Sequence, residues 1–354
     1  MTRFKKIFLS VIATVCLISC AVNNESAYEA LTTASFEAWM AKYAPNAELT
    51  DEYVYIEFFQ RKDNWEELTV PDTDSSWIKM SYTGYTLQNN IFSTRDSLTA
   101  KMMGTWLYTT HFADDFEPFV MSTTLCPGFY YGLSHMREGD SARIYIPVEL
   151  GYSTYTMDQN SGYAGTTSSY LSTPIIFDVT VSEVVNNAYY WERDNINAWV
   201  EKNWGMTEAD TIVEGLYMRI IEENPLGDTV STDSTYNYNV STYFPGDGQL
   251  ISTTLESVAV ANGYYDSSTS YDEQEMTSSL FESTTSTYYG FALIIQEMRK
   301  GETAEAIIPS WLAEGIAGSQ DATPEILPYQ TQRVILTLLD DEEDEDEEEE
   351  EDEE

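Results

Sequence analysis

Basic residues are scarce in this 354-residue chain, where 17 Lys and Arg stand against 60 Asp and Glu for a net charge of −43. A surface so acidic repels phosphate instead of displacing its counterions, which argues against nucleic-acid binding. It cannot hold anionic lipid by charge either. Histidine is almost missing, with only His111 and His135. No catalytic triad or metal-ligand cluster is recognisable, and neither a metal nor a cofactor is expected. His135 falls on a short predicted helix and reads as a surface side chain, whereas the segment around His111 has no readable pattern. Cysteine is limited to Cys16, Cys20 and Cys126. Long apolar runs are lacking too, and the stretch 7–18 is too short to span a membrane.

That stretch follows Arg3, Lys5 and Lys6 and ends in Leu17-Ile18-Ser19-Cys20, so residues 1–19 read as a secretory signal. Leu17–Cys20 resembles the bacterial lipobox. This implies cleavage before Cys20, acylation of Cys20 and a lipid-anchored place in the bacterial cell envelope, with residues 20–26 as a tether. An ordinary signal peptide that happens to hold a cysteine is the plainer alternative. With Cys20 acylated no disulfide framework remains, and Cys126 reads as a small buried apolar side chain. At the other end, residues 340–354 are fifteen acidic residues without a break; removing them from −43 leaves −28. Such a tail cannot bury apolar surface and is expected to be disordered, as a solvating block, a contact for a basic partner or a loose binder of cations.

Between these ends the chain repeats itself. Met136-Arg-Glu-Gly139-Asp-Ser-Ala142 through Ile146-Pro147 and Leu150 returns as Met298-Arg-Lys-Gly301-Glu-Thr-Ala304 through Ile308-Pro309 and Leu312, an offset of 162. Phe36-Glu-Ala38-Trp39 returns as Ile196-Asn-Ala198-Trp199 at an offset of 160. Two signatures at nearly constant offset indicate two globular units in series, 27–186 and 187–339.

Each unit should be α+β. Ser26-Ala-Tyr-Glu29 has the capping-box pattern and predicts an amphipathic helix carrying Phe36, Trp39, Met40 and Tyr43, ended by Pro45. Its counterpart holds Ile196, Trp199 and Val200 and should stop near Gly205. Alternation at Ile78, Met80, Tyr82, then at Ala142, Ile144, Ile146, then at Ile175, Phe177, Val179, Val181 predicts antiparallel strands with one dry and one wet face. Residues 127–136 should form a short helix on the dry face. The Ser-, Thr- and Tyr-rich stretches 153–173, 227–239 and 263–288 read as loops.

Tyr82-Thr83-Gly84, Phe92, Gly128-Phe129-Tyr-Tyr-Gly132 through Gly139, Ile146-Pro147-Val-Glu149-Leu150-Gly-Tyr152 and Ile176-Phe177-Asp178 occur in that order. Over residues 77–184 this resembles the FKBP-type peptidyl-prolyl isomerases. The resemblance implies two tandem FKBP-like domains, each a bent antiparallel sheet wrapped on a short helix and preceded by its own helix. It implies an apolar pocket of Tyr82, Phe92, Phe129, Tyr152 and Phe177, with Leu125 and Cys126 binding substrate. Phe129 takes the place of the family's usual tryptophan, the Tyr152 hydroxyl that of a donor to a ligand carbonyl, and the Cys126 N–H that of a second donor. The chain departs from the pattern where Ser93 replaces an acidic residue, Ser153 a glycine, and Ser169–Ser172 an Ile-Pro-Pro. On the same register the second unit carries Ser241, Ile251 and Glu314 for Tyr82, Phe92 and Tyr152, and reads as degenerate.

The function this resemblance implies is a lipid-anchored prolyl isomerase and folding helper. Its partners would be proline-containing polypeptides of the envelope and, through Cys20, the lipid bilayer. The alternative is a non-catalytic lipoprotein that uses both units to bind protein.

Overall fold

A computed structural model describes residues 24–62, 71, 76–107, 109–122, 125–152, 173–319 and 322–340. Cys20, residues 153–172 and the tail from residue 341 lie outside the described residues. Helix α1 spans Asn24–Tyr43. It is already helical at Asn24, so Ser26 lies inside the helix and not at its cap. It ends before Ala44-Pro45, as the restricted backbone preceding proline requires.

The first sheet contains β1 (Glu48–Leu49), β2 (Tyr55–Gln60), β3 (Trp77–Thr86), β4 (Ile91–Thr94), β5 (Asp115–Pro118), β6 (Ser141–Ile146) and β7 (Ile175–Val185). Helices α2 (Ser97–Met103) and α3 (Pro127–Ser134) fall between these strands. Strand order is β1-β2-β6-β7-β3-β4, with β5 beside the start of β3, and every pairing is antiparallel. Asn187 caps helix α4 (Ala188–Trp204), which leads into the second unit and closes on a left-handed Gly205.

The second unit holds β8 (Tyr217–Glu222), β9 (Tyr236–Tyr243), β10 (Leu250–Thr253), α5 (Glu256–Asn262), β11 (Gln274–Met276), α6 (Ser278–Glu282), α7 (Tyr289–Gln296), β12 (Thr303–Ile308) and β13 (Gln332–Leu338). Its order β10-β9-β13-β12-β8, with β11 on β9, repeats β4-β3-β7-β6-β2 with β5 on β3. The duplication seen in sequence is thus a duplication of topology, and the architecture is α+β in tandem. Two stretches read as loops carry structure: β9 begins within 227–239, and β11 and α6 lie within 263–288. Their many Ser, Thr and Asn residues hide alternation from a polarity pattern, because tyrosines at 236 and 238 supply the buried side.

The repeated Met-Arg-x-Gly motif has a physical cause. Gly139 and Gly301 adopt left-handed φ of 85° and 76°, which a side chain would resist. The next residue's carboxylate, Asp140 or Glu302, accepts the backbone N–H of Arg137 or Arg299 at 2.8 Å in both turns. The turn delivers β6 and β12 to equal places in their sheets.

Alternation sends Ile78, Met80, Ala142, Ile144, Ile146, Phe177 and Val179 to one buried face, against Phe129, Leu133 and Met136 of the α3 region. The opposite face is not wholly wet as expected. Tyr145 and Ile176 are covered by Phe36 and Met40 of α1, and Tyr217 and Ile307 by Ile196 and Val200 of α4. Each leading helix therefore serves as a second layer on its sheet.

Candidate functional site

The seven residues singled out by sequence come from five separate segments and meet in one cluster. Tyr82 comes from β3, Phe92 from β4, Phe177 from β7 and Phe129 from α3. Leu125 and Cys126 precede α3, and Tyr152 follows the 3-10 turn Val148–Leu150. Phe129 and Phe177 stack face to face, with centroids 4.1 Å apart and planes 5° apart. Tyr82 meets both edge-on at 5.5 and 5.6 Å, and Phe92 meets Phe177 edge-on at 5.6 Å. Tyr152 closes the ring at 6.4 Å from Phe92. These geometries suit the ring quadrupoles. Gly84 makes room for them, since a Cβ there would stand 2.6 Å from the Phe92 ring. The seven side chains are only 0–5% exposed, so the cluster is closed upon itself.

Its polar atoms are few. Burial pushes the Cys126 thiol up to about 12, outweighing hydrogen bonds from the Phe129 N–H and the Tyr152 hydroxyl. The sulfur therefore stays a neutral thiol at neutral pH, and nucleophilic chemistry is not its role. The Tyr152 hydroxyl is hydrogen-bonded to that sulfur. The buried Ser93 hydroxyl has no hydrogen-bond partner among the described residues. Next to it, Thr83 and Thr94 share a hydrogen bond of 2.8 Å, and the Arg95 N–H donates to the Tyr82 carbonyl at 2.8 Å.

In the second unit the corresponding backbone bond runs from the Thr254 N–H to the Val240 carbonyl at 2.9 Å. Val240, not Ser241, therefore stands where Tyr82 does. The residue-for-residue reading slipped by one, and a slip of one exchanges the faces of a strand. Strand pairing likewise equates Phe177, opposite Ile144, with Val334, opposite Ala306. Ser241 instead bonds Thr253 at 2.7 Å, as Thr83 bonds Thr94. Of the aliphatic residues that stand in place of rings, Val240 and Ile251 line a cavity of about 250 Å³. Glu314 lines it from an exposed position, so this carboxylate bears no burial cost of the kind expected from sequence.

Sequence reasoning missed the contact between the units. Arg95 is buried between Asp115, to which it is ion-paired, and Glu325 of the second unit at 3.1 Å. Burial, and then Asp115, push nearby Glu117 up to about 8. His111 lies flat on Phe244 with centroids 3.7 Å apart and reaches Asp247 at 3.3 Å. Its burial lowers its pKa despite that carboxylate. Trp77 and Phe116 pack against Trp191 and Tyr329. No sequence pattern announces these pairs; Arg95 and Glu325, for one, lie 230 residues apart. His135 is partly exposed and bonds Glu52 at 2.8 Å. Among the described residues, no group of three His, Cys, Asp or Glu side chains is placed to hold a metal ion.

The family model for FKBP-type peptidyl-prolyl cis-trans isomerase matches residues 73–182. No curated protein matches the chain. Among solved structures, the three FKBP domains of wheat FKBP73 align at 12% identity over 82% of this chain and 94% of that one, with a TM-score of 0.29. The peptidyl-prolyl cis-trans isomerase of Pseudomonas syringae pv. tomato aligns at 19% identity over 43% and 92%, with a TM-score of 0.31. FkpA from Escherichia coli aligns at 14% identity over 51% and 73%, with a TM-score of 0.31.

Proposed function

We propose, from the premise that residues 73–182 form a domain of the FKBP-type peptidyl-prolyl cis-trans isomerase family, that this chain isomerises X-Pro bonds at the ring cluster of its first unit. The observation that carries the reading is the convergence of Tyr82, Phe92, Leu125, Cys126, Phe129, Tyr152 and Phe177 from separate segments into one aromatic cluster. The leader and the Leu17–Cys20 sequence support anchoring through acylated Cys20 in a bacterial envelope, with proline-containing polypeptides there as clients.

The chemistry asks for no nucleophile. Twisting a peptide bond abolishes its resonance, a barrier of about 18–20 kcal/mol. The twisted amide has a less polar carbonyl than the planar one, so an apolar aromatic box binds it better than the ground state. Each gain of about 1.4 kcal/mol is roughly tenfold in rate. The prolyl ring would part Phe92 and Tyr152 and lie against Phe129 and Phe177. The Tyr152 hydroxyl would exchange its contact with the Cys126 sulfur for the substrate carbonyl.

A second reading, a non-catalytic unit that binds protein, is favoured by one observation: the ring cluster is closed, and Ser93 stands where the family has an acidic residue. A protease-free isomerisation assay on X-Pro peptides separates the two. Active wild type, with Tyr152→Phe lowering kcat/KM by about fivefold, the worth of one hydrogen bond of about 1 kcal/mol, supports catalysis. A chain inert toward a panel of X-Pro peptides leaves the binding reading.

A further inference from the structure

The second unit's counterpart of the ring cluster has changed its chemistry along with its volume. We propose that its cavity is a binding site for an alkylammonium group, such as the head of a lysine side chain. Nothing in this depends on isomerisation by the first unit. The cavity of about 250 Å³ opens beside β9 and β10, under the start of α7. Three aromatic side chains, Tyr238, Tyr288 and Phe291, line it. Phe291 lies 6.2 Å from Tyr238 and 6.1 Å from Tyr288, with interplanar angles of 62° and 58°. Tyr288 is 42% exposed, so its ring is available to an incoming group.

Glu314 is the only carboxylate among the described residues that line the cavity, and no Lys, Arg or His is among them to neutralise it. Two of the lining hydroxyls are already engaged, Thr253 with Ser241 and Thr254 with Asn239 and Val240. The other polar groups that line the cavity, among them Thr242, Ser252, Gln274, Thr287 and Gln332, are neutral, so the charge selection falls to one carboxylate and the aromatic faces. Both attract a cation, the carboxylate by charge and the rings by their quadrupoles. An anionic ligand meets only repulsion, reinforced by the net charge of the chain. A neutral apolar ligand gains nothing from Glu314.

Ring arrangement selects among cations. A planar guanidinium prefers a parallel aromatic face and a carboxylate presented for two side-by-side bonds. Rings set at about 60° to one another form a corner, which suits a compact tetrahedral head on an apolar stem. The stem would lie along Ile251 and Phe291, and the ammonium would face Glu314.

The test is a titration of the full chain, by calorimetry and NMR, with N-acetyl-lysine methylamide, with the isosteric norleucine derivative and with n-butylammonium. The lysine derivative should bind, the norleucine derivative should be at least about tenfold weaker, and added salt should weaken the first alone. Glu314→Gln should lower lysine-derivative affinity about tenfold, and Tyr288→Leu should lower it with the carboxylate intact. Glu314 is exposed, so the Gln variant should keep its fold, which the NMR spectrum reports. Butylammonium binding as tightly as the lysine derivative assigns the site to free amines; weaker binding assigns it to lysine within polypeptide. Equal binding of the lysine and norleucine derivatives, absence of binding by both amines, or an unchanged Glu314→Gln variant overturns the proposal.

Discussion

Glu192 offers a test of the packing in which sign and size can both be worked out. It lies on α4, is 1% exposed, and its carboxylate accepts three hydrogen bonds from elements distant in sequence. The Ser310 N–H donates to Oε1 at 2.7 Å, the Thr331 hydroxyl donates to the same oxygen at 3.0 Å, and the Ser310 hydroxyl donates to Oε2 at 2.6 Å. Burial raises its pKa to about 7, against the three hydrogen bonds, which favour the charged form. The folded pKa thus exceeds the unfolded one, and between about pH 4.5 and 7 the folded state holds a proton that the unfolded state has lost. This contribution to stability is complete below pH 4.5 and is lost as pH rises through 7. At 1.36 kcal/mol per pK unit, the loss has a ceiling of about 3 kcal/mol. Glu192→Gln removes the titration yet fits the same contacts, since its Oε1 can keep two acceptor roles and its amide can donate to the Ser310 hydroxyl. Urea unfolding of both proteins at pH 5, 6, 7 and 8 gives a difference curve. Glu117 and His111 contribute alike to each protein and cancel from it. The wild type should lose stability relative to the variant by about 2–3 kcal/mol across this range. Parallel curves would refute the reasoning and place Glu192 in water or beside an unseen cation.

Phe177→Ala removes the ring that touches Phe129, Tyr82, Phe92 and Tyr152, and should cost about 3–5 kcal/mol in denaturant unfolding; a loss under 1 kcal/mol would mean the rings do not pack as described. Residues 21–188 expressed alone should unfold cooperatively but at lower denaturant than the full chain, because Arg95 loses Glu325 and Trp77 and Phe116 lose Tyr329. Equal midpoints would show that these contacts do not stabilise the first unit, and a molten fragment that the two units share one core. On the proposed acylation of Cys20, Cys20→Ser should release the protein from the membrane fraction, because each buried methylene of an acyl chain would contribute about 0.8 kcal/mol. Retention at high salt with residues 1–19 uncleaved would make that segment a span.

The parts of this molecule that were legible in sequence share one property: a local chemical reason. Gly139 and Gly301 mark a left-handed turn, Pro45 and Gly205 end helices, and alternation at Ile144 or Phe177 marks the buried face of a strand. The aromatic site residues could be placed because ordered motifs fixed their strands. Where the reading failed, the deciding force was not local. Nothing in β9 distinguishes Val240 from Ser241 as the inward residue until its hydrogen bonds to β10 and β13 are drawn. Asn, Ser and Thr within β9, and the Ser and Thr residues around β11, gave both strands the look of loops, although their burial is supplied by Tyr236, Tyr238 and Met276.

The junction of the units shows the same limit from the energetic side. Arg95, Asp115 and Glu325 are each ordinary surface residues by type, and burial of such charges is tolerated only where they meet. The loop that supplies Glu325, Ile326 and Tyr329 belongs to the second unit, between the 3-10 turn Ser310–Leu312 and β13. It sends Glu325 and Tyr329 onto the first unit, while Ile326 packs with Phe244 and Ile251 and lines the second cavity. In the second unit, where Val240, Ile251 and Val334 stand in place of rings, this loop braces the first unit. On the first unit the brace meets Arg95, which directly follows β4, the strand that carries Phe92 into the ring cluster three residues earlier. The same loop thus lines the second unit's cavity through Ile326 and meets the first unit through Glu325 and Tyr329, so a charge change at Arg95 or Glu325 would be felt in both units.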